Sequence, residues 1–458
     1  MIHMSKKHRI DMTNGPIVKK LLLFVYPLII TNLLQHLYSA ADNAVVGRFV
    51  GKTALAAVGA TGSATSMILN LLIGLSVGAN IVNANLLGAR KFKDLRKSMH
   101  TALMLALIFG LIISTIGILI SKWIMGIMNC PESIIDQAAL YMRIIFCGTP
   151  GTMLYNFGAG ILRTHGDSKR PMYIMAVSGL INVILNLVFV LYCNMTVDGV
   201  ALATIISKYL AAGYVLYILF DPNGDYKLRF SELKIHKQES WNIVKVGLPC
   251  GLNPLVFSIS NSIVQSAVNS LGDTVVAGSV ASNNVTGLIY QVLAAFYTGC
   301  INFSGQCFGA GKYKRIDKVV LVSSGICIAF VAICSTVITI IPEVFIGIFN
   351  TDPEVIASGT EKLLLMSWSY IIYGVSEAVM GSLRGMRETG IPSGINIFCV
   401  CLVRVFWIML ICPYFPGNQI ALYTCYPVSY FISAVAMVIY FINRRKKLDQ
   451  KQALSTAG

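Results

Sequence analysis

The sequence predicts an all-α polytopic membrane protein whose twelve transmembrane helices form two parallel six-helix repeats. Three observations predict this fold class: a run of long apolar segments, basic residues concentrated in alternate loops, and a second half that repeats landmarks of the first. The composition agrees, because 55% of the 458 residues are hydrophobic and only 12% are charged, whereas a soluble domain has about 25% charged residues.

Most of the apolar segments are long enough to span a membrane as helices, because about 20 residues cross the hydrocarbon layer. The first segment exceeds the apolar core of a signal peptide and has no obvious small-residue cleavage site, so we expect no cleavage. We place the twelve segments at 17–46, 54–87, 98–121, 134–158, 171–193, 199–220, 242–270, 275–308, 319–341, 357–381, 392–413 and 419–442.

Basic residues define the predicted topology. Most of the 36 Lys and Arg residues lie in the N-terminal segment, in every second loop and in the C-terminal tail, whereas the opposite loops contain acids such as Glu132 and Glu343. Because short basic loops stay in the cytoplasm, we expect both termini to be cytoplasmic in a multi-pass protein of the plasma or inner membrane. The net charge of +16 is thus a topology signal, and we expect no nucleic-acid partner.

The two halves of the chain share landmarks at a constant spacing, the 221 residues that separate Leu162 from Leu383. LGARKFK after the second segment recurs as FGAGKYK after the eighth. Six spans per half make the repeats parallel, and two such bundles around a cavity are typical of an alternating-access transporter. The predicted parts are a cytoplasmic tail 1–16, an N-lobe 17–220, a cytoplasmic linker 221–240, a C-lobe 241–442 and a cytoplasmic tail 443–458.

A carboxylate, Asp42, lies inside the first apolar segment. A charge within a span costs about 2.5–3.5 kcal/mol on insertion scales, so such a residue is a functional hypothesis by default. Gln35 and Tyr38 precede Asp42 at spacings that place all three on one helical face. The alternative is that Asp42 only caps the helix or pairs with Arg48 at the membrane surface.

Polar residues of two further spans lie at a similar depth. Asn182 and Asn186 are one turn apart in the fifth segment, and Thr204 lies in the sixth. At about 1.5 Å per residue, Asp42 and Thr204 are about 9 Å, and Asn186 about 12 Å, from the outer flank. Their oxygens suit an alkali cation, and the carboxylate can take a proton instead. Separate interhelical hydrogen bonds are the alternative.

Other candidates are less specific. Glu377 is a second intramembrane carboxylate. It is a candidate for lining the cavity or for ion coupling, and the alternative is that it pairs with a basic group. Tyr155 and Tyr290 line a substrate cavity or serve ordinary packing. Gly74-Leu-Ser-Val-Gly78 fits a nucleophile-elbow pattern, but that elbow needs a strand-turn-helix context, so we interpret it as helix packing. We find no convincing catalytic constellation and expect no enzyme.

The residues resemble the multidrug and toxin extrusion (MATE) family over about 15–442, through Pro27, Asp42-Asn-Ala-Val-Val-Gly47, the basic turn after the second span and the two Leu-Arg pairs. The resemblance implies two six-helix lobes that exchange Na⁺ or H⁺, with no other cofactor, for organic and often cationic drugs. It also implies that Asp42, Asn182, Asn186 and Thr204 form the cation site.

This chain departs from some members of that family. It has no Glu in the region 252–257 of the seventh span, and Tyr373 stands where some members have Asp, with Glu377 one turn later. Asn186 often has an Asp counterpart, so the site here is less anionic. The C-lobe therefore lacks carboxylates that some members use for ion coupling, and the N-lobe site has less negative charge with which to bind Na⁺ tightly.

Two rival transporter classes remain. Lipid-linked saccharide flippases have more spans and a strongly basic cavity, whereas we expect only Arg143, Lys208 and Arg404 to be well embedded here. Major-facilitator carriers share parallel repeats, but their usual Gly-Asp-Arg signature after the second span is missing. We therefore expect a monomer in the lipid bilayer with small-molecule organic substrates.

Overall fold

The computed structural model describes residues 10–128, 130–222, 226 and 228–457, and its regular elements are helices. The predicted tails and linker lie partly outside these residues, at 1–9, 223–225, 227 and 458. The chain forms two compact units. The first comprises Tyr26–Gly251 and the described residues before Met12; the second comprises Met12–Val25 and the described residues from Leu252 onward.

The described residues of the first half of the chain form seven α-helices. Two of them continue into π-helical segments, α1 at Val46–Val50 and α6 at Val188–Tyr192. The helices are α1 (Ile17–Val45), α2 (Lys52–Gly88), α3 (Phe92–Ile127), α4 (Glu132–Cys147), α5 (Thr149–Thr164), α6 (Lys169–Leu187) and α7 (Val197–Leu219).

In the second half, the part that the structure describes contains nine α-helices and a π-helical segment at Ile397–Leu402. Short 3-10 helices lie at Phe230–Glu232 and Cys412–Tyr414. The α-helices are α8 (Lys237–Asn269), α9 (Asp273–Gly309), α10 (Tyr313–Ile340), α11 (Pro342–Gly347), α12 (Pro353–Gly385), α13 (Gly390–Asn396), α14 (Val403–Leu410), α15 (Gln419–Tyr423) and α16 (Cys425–Ala457).

Each predicted span coincides with a long helix or with consecutive helical pieces, which confirms the all-α polytopic fold class. Eleven helical stretches in the described residues are long and apolar enough to cross a membrane. The remaining predicted span, the fourth, consists of α4 and α5, which have 16 residues each and meet at Gly148. Pro150 explains this break, because it has no backbone N–H for the preceding turn.

The last helix is longer than predicted. α16 continues to Ala457, past the predicted end of the twelfth span at 442. Arg445 in this extension is buried and forms a salt bridge to Asp317 at 2.7 Å and a second one to Asp449 at 3.2 Å. Hydropathy predicts only the apolar part of this helix, because ion pairs stabilise its last turns.

Four glycines lie where α2 crosses the N-terminal part of α8 within the first unit. A Cβ atom at Gly74 would lie 2.1 Å from the Cα atom of Gly251, and one at Gly78 would lie 2.4 Å from the Cα atom of Gly247. Small residues at such a crossing allow two backbones to approach closely within a membrane. The helix-packing interpretation of Gly74 to Gly78 is confirmed.

Candidate functional site

Asp42, Asn182, Asn186 and Thr204 meet in the first unit, and we call them the Asp42 cluster. Asn186 Nδ2 donates to Asp42 Oδ1 at 2.5 Å, and the Thr204 hydroxyl donates to Asp42 Oδ2 at 3.4 Å. Thr204 also accepts a hydrogen bond from Asn182 Nδ2 at 3.3 Å. The structure thus brings together all four residues of the predicted cation site, from α1, α6 and α7.

Helical periodicity places the two amides. Asn182 and Asn186 are one turn apart in α6, and both are buried, with 5% and 0% exposure. α6 packs against α7, which brings Thr204 to this face. Thr204 lies within α7, where its hydroxyl also lies 3.0 Å from the carbonyl oxygen of Val200.

The two helices that supply the carboxylate and the amides change to π geometry just beyond the cluster. The π segment Val46–Val50 follows Asp42, and Val188–Tyr192 follows Asn186. The two segments contact each other. Single-turn π segments are rare and are frequent at functional sites, and periodicity in the sequence does not reveal them.

Two amide oxygens of the cluster are buried without a hydrogen-bond partner among the described residues, Asn182 Oδ1 and Asn186 Oδ1. Buried polar atoms nearly always have a partner, and exceptions indicate a water or an ion. Carboxylate and carbonyl oxygens are hard ligands, and a single carboxylate matches the charge of a monovalent cation. The donor set therefore fits Na⁺, and Asp42 by itself fits a proton.

A cavity of about 450 Å³ lies beside the cluster, within the size range of small-molecule sites. Three further predicted residues, Gln35, Tyr38 and Tyr155, line it together with Asp42, Asn182 and Thr204. The Tyr38 hydroxyl donates to the carbonyl oxygen of Ala176 at 3.0 Å. The Tyr155 hydroxyl donates to the carbonyl oxygen of Pro171 at 3.3 Å.

Two basic residues, Arg163 and Lys208, line the same cavity, and neither was among the predicted site residues. Lys208 lies one turn after Thr204 in α7, so both side chains occupy one helical face. That spacing is readable in the sequence and is sufficient to place Lys208 near Asp42. Arg163, at the end of α5, gives no comparable signal, because α5 joins the cavity only through tertiary packing.

Glu377 and Tyr290 are not part of the Asp42 cluster, because they belong to the second unit. Glu377 lies in α12, is 6% exposed and has Tyr373 and Arg384 as its polar neighbours. The rings of Tyr290 and Tyr373 stack with their centroids 6.1 Å apart. The guanidinium of Arg384 donates to the Tyr297 hydroxyl and to Ser393 Oγ. Glu377 therefore sits in a separate, largely aromatic cluster.

The expectation that only Arg143, Lys208 and Arg404 are well embedded is wrong. Arg143 is exposed and Lys208 is only partly buried, whereas Lys362 and Arg384 are buried, with 2% and 4% exposure. Apolar-segment boundaries placed Lys362 near the outer end of the tenth span, but α12 begins at Pro353, so Lys362 lies more than two turns inside the helix.

The sequence of this chain is similar to those of known membrane transport proteins. A sequence model of the MatE family matches residues 27–188 and 249–410. The probable multidrug resistance protein YoeA of Bacillus subtilis is 25% identical over 439 residues, which cover 93% of this chain and 94% of that protein. YpnP of the same organism, also a probable multidrug resistance protein, is 29% identical over 379 residues, which cover 82% and 84% of the two chains.

A solved structure shares the fold. It shows the outward-facing conformation of a multidrug resistance MATE family transporter of the MOP superfamily, with a TM-score of 0.90 and 21% identity. The superposition covers 96% of this chain and 98% of that chain. The twelve-helix arrangement with two repeats is therefore that of a known transporter fold.

Proposed function

Since the chain belongs to the MatE family, we propose that it is a secondary active multidrug exporter, which moves small organic compounds out of the cell by antiport against Na⁺ or H⁺. The observation that carries this proposal is the buried Asp42 cluster beside a cavity of small-molecule size. Relatives named as probable multidrug resistance proteins support the same substrate class. We place the protein in the plasma or inner membrane, with both termini cytoplasmic, as a monomer.

The coupling follows from one negative charge. Asn186 and Thr204 hold the Asp42 carboxylate in place, and the amide oxygens of Asn182 and Asn186 are buried without a partner among the described residues. When that carboxylate is neutralised, a cationic substrate in the adjoining cavity loses its counter-charge. Loading of the ion and of the substrate then disfavour each other, which is a negative coupling between two sites. Alternation of the two lobes between inward and outward access turns this competition into antiport.

Of the two rival classes, the family match excludes a major-facilitator carrier. The cavity of about 450 Å³ has the size of a site for a drug-sized ligand. A lipid-linked saccharide is larger than such a ligand, so the cavity favours a small organic substrate. Two of the embedded cations, Lys362 and Arg404, are also surrounded by side chains of the second unit. We therefore retain export of small organic compounds.

We expect drug uptake into everted membrane vesicles to be driven by an imposed Na⁺ or H⁺ gradient. The chain contains no G-x-x-x-x-G-K-[ST] motif for nucleotide phosphates. The two gradients are imposed separately, each with the other ion at equilibrium, and uptake of a fluorescent drug is recorded. Uptake that requires ATP and ignores both gradients would contradict antiport. The gradient that drives uptake identifies the coupling ion.

We expect Glu377→Gln to change drug preference more than ion dependence. At the constant repeat spacing, Ile263 and Val403 of the second half correspond to Asp42 and Asn182, so that half lacks the polar set of the cation site. Relative uptake of several drugs and its dependence on each gradient are measured for Glu377→Gln. Glu343→Gln, an exposed position at the start of α11, is the control. Loss of ion dependence with drug binding intact would contradict the expectation that Glu377 affects drug preference more than ion coupling.

A further inference from the structure

The cavity beside the Asp42 cluster contains more positive than negative side chains. Asp42 is the one carboxylate among its lining residues, and Lys208 and Arg163 are both basic. Neither basic group donates a hydrogen bond to any residue in the described part of the chain, and Arg163 Nε is buried without a partner. Asp42 already receives hydrogen bonds from Asn186 and Thr204.

The embedded cations of the second unit are different, because other side chains enclose them. Lys362 Nζ donates to Ser279 Oγ at 2.5 Å and to Asn283 Oδ1 at 2.8 Å, and it lies 4.9 Å from the ring centroid of Tyr423. Hydrogen bonds and an aromatic face thus replace a counter-ion for this group.

Arg404 is enclosed in the same manner. Its guanidinium donates to Ser429 Oγ and Asn261 Oδ1, each at 3.1 Å, and lies 4.4 Å from the ring centroid of Tyr426. A buried charge is stable only when it is paired or hydrogen-bonded. Lys362 and Arg404 have hydrogen-bond partners within the chain. Lys208 and Arg163 line a cavity and donate no hydrogen bond within the described residues, and Lys208 has Asp42 as its charged neighbour.

We propose that Lys208 and Arg163 recognise an anionic group of the substrate, so that this exporter prefers zwitterionic compounds with a carboxylate and a separate cationic group. The proposal rests on the proposed function, because it concerns the same cavity. The cationic group of the substrate lies near Asp42, and its carboxylate pairs with Lys208 and Arg163. Charge-assisted hydrogen bonds of this type are roughly twice as strong as neutral ones.

The spacing along α7 sets the shape of the preferred compound. Lys208 follows Thr204 by four residues, which is about 6 Å along the helix axis, and Thr204 contacts Asp42. The two charges of the substrate are therefore separated by about that distance or more. A purely cationic compound meets one favourable and two unfavourable charges in this cavity, whereas a zwitterion pairs with both signs.

This arrangement remains compatible with antiport. The cationic group of the zwitterion and the coupling ion compete for the single carboxylate of Asp42. The carboxylate of the zwitterion pairs with Lys208 and Arg163 instead, so it does not compete with the ion for Asp42. Ion exchange is then controlled at one end of the cavity and substrate choice at the other.

A matched pair of dyes tests the proposal: a rhodamine with a free benzoate, which is zwitterionic, and the methyl ester of the same dye, which is only cationic. Binding to the purified protein is measured by fluorescence polarisation without any gradient. We expect the free benzoate dye to bind about tenfold more tightly than its ester, a factor equivalent to about 1.4 kcal/mol. Because no gradient is present, a failure of coupled transport leaves this outcome unchanged.

Substitutions test whether the basic residues cause the preference for the free benzoate dye over its ester. Lys208→Met is expected to reduce the dye ratio to about one by weakening the free benzoate dye alone, and Lys208→Arg is expected to restore the ratio. Lys122→Met removes an exposed lysine that pairs with Asp136 on the surface and should leave the ratio unchanged. Should Lys208→Met fail to fold, Arg163→Met carries the same expectation.

Several outcomes would overturn the proposal. Equal binding of both dyes by the wild type, a preference for the ester, or no binding of either dye each contradicts recognition of an anionic group. Lys208→Met that weakens both dyes equally would mean that Lys208 acts only on Asp42 or on the structure of the cavity.

Discussion

Asp42→Asn is expected to abolish gradient-driven efflux while the protein still inserts and folds. The substitution keeps the shape of the side chain next to Asn186 and Thr204 but removes the negative charge of the Asp42 cluster. A charge within a span costs about 2.5–3.5 kcal/mol on insertion scales, so its removal does not reduce stability. Efflux against a gradient should fall at least about tenfold, because the linkage between ion and substrate is lost.

The measurement is efflux at matched expression, with two kinds of control. Asp198→Asn is the matched Asp-to-Asn change in the first turn of α7, where Asp198 accepts hydrogen bonds from Thr196, and it should retain near-normal efflux. Asn182→Ala and Thr204→Ala each remove one neutral ligand, so they should weaken coupling less than Asp42→Asn does. Near-normal efflux by Asp42→Asn would mean that this carboxylate is structural.

Helical periodicity and depth placed Asp42, Asn182, Asn186 and Thr204 at a similar level of the membrane, and the family resemblance then implied that they form one site. All four are polar residues within strongly apolar spans, where the local signal is clear, and their depth follows from the rise per residue. The same reasoning did not identify Arg163 as a cavity residue, because its position depends on how α5 packs. It also did not show which amide oxygens lack a partner, since that depends on side-chain orientation.

Boundaries were predictable only where hydropathy changes sharply. The twelve spans coincide with the helices because apolar length is a strong signal. The extension of α16 is held by Arg445 and Asp317, which are 128 positions apart in the sequence. The break between α4 and α5 occurs inside a continuous apolar run, at Gly148. Hydropathy falls at the charged extension of α16 although the helix continues, and it does not change at the turn between α4 and α5.

Gly78→Leu is expected to prevent the first unit from folding. The added Cβ atom would lie 2.4 Å from the Cα atom and 2.5 Å from the backbone nitrogen of Gly247. Both atoms are backbone, so no flexible side chain can move aside. Overpacking in a core costs about 1–3 kcal/mol and occasionally more, and we expect this change to reach or exceed the upper value because two whole helices must separate.

The matched control is Gly59→Leu on the same helix, where an added Cβ atom meets nothing within 4 Å. Each variant replaces one glycine of α2 with leucine, so the effect of a glycine-to-leucine change on the helix itself is matched. Gly78→Ala should fall between them, because it adds only the atom that overlaps Gly247. Size-exclusion profiles and thermal unfolding in detergent measure the difference. A folded Gly78→Leu protein with the stability of Gly59→Leu would mean that α2 and α8 do not cross in close contact, and the α2 surface that faces the cavity through Leu69 and Ile73 would then have a different position.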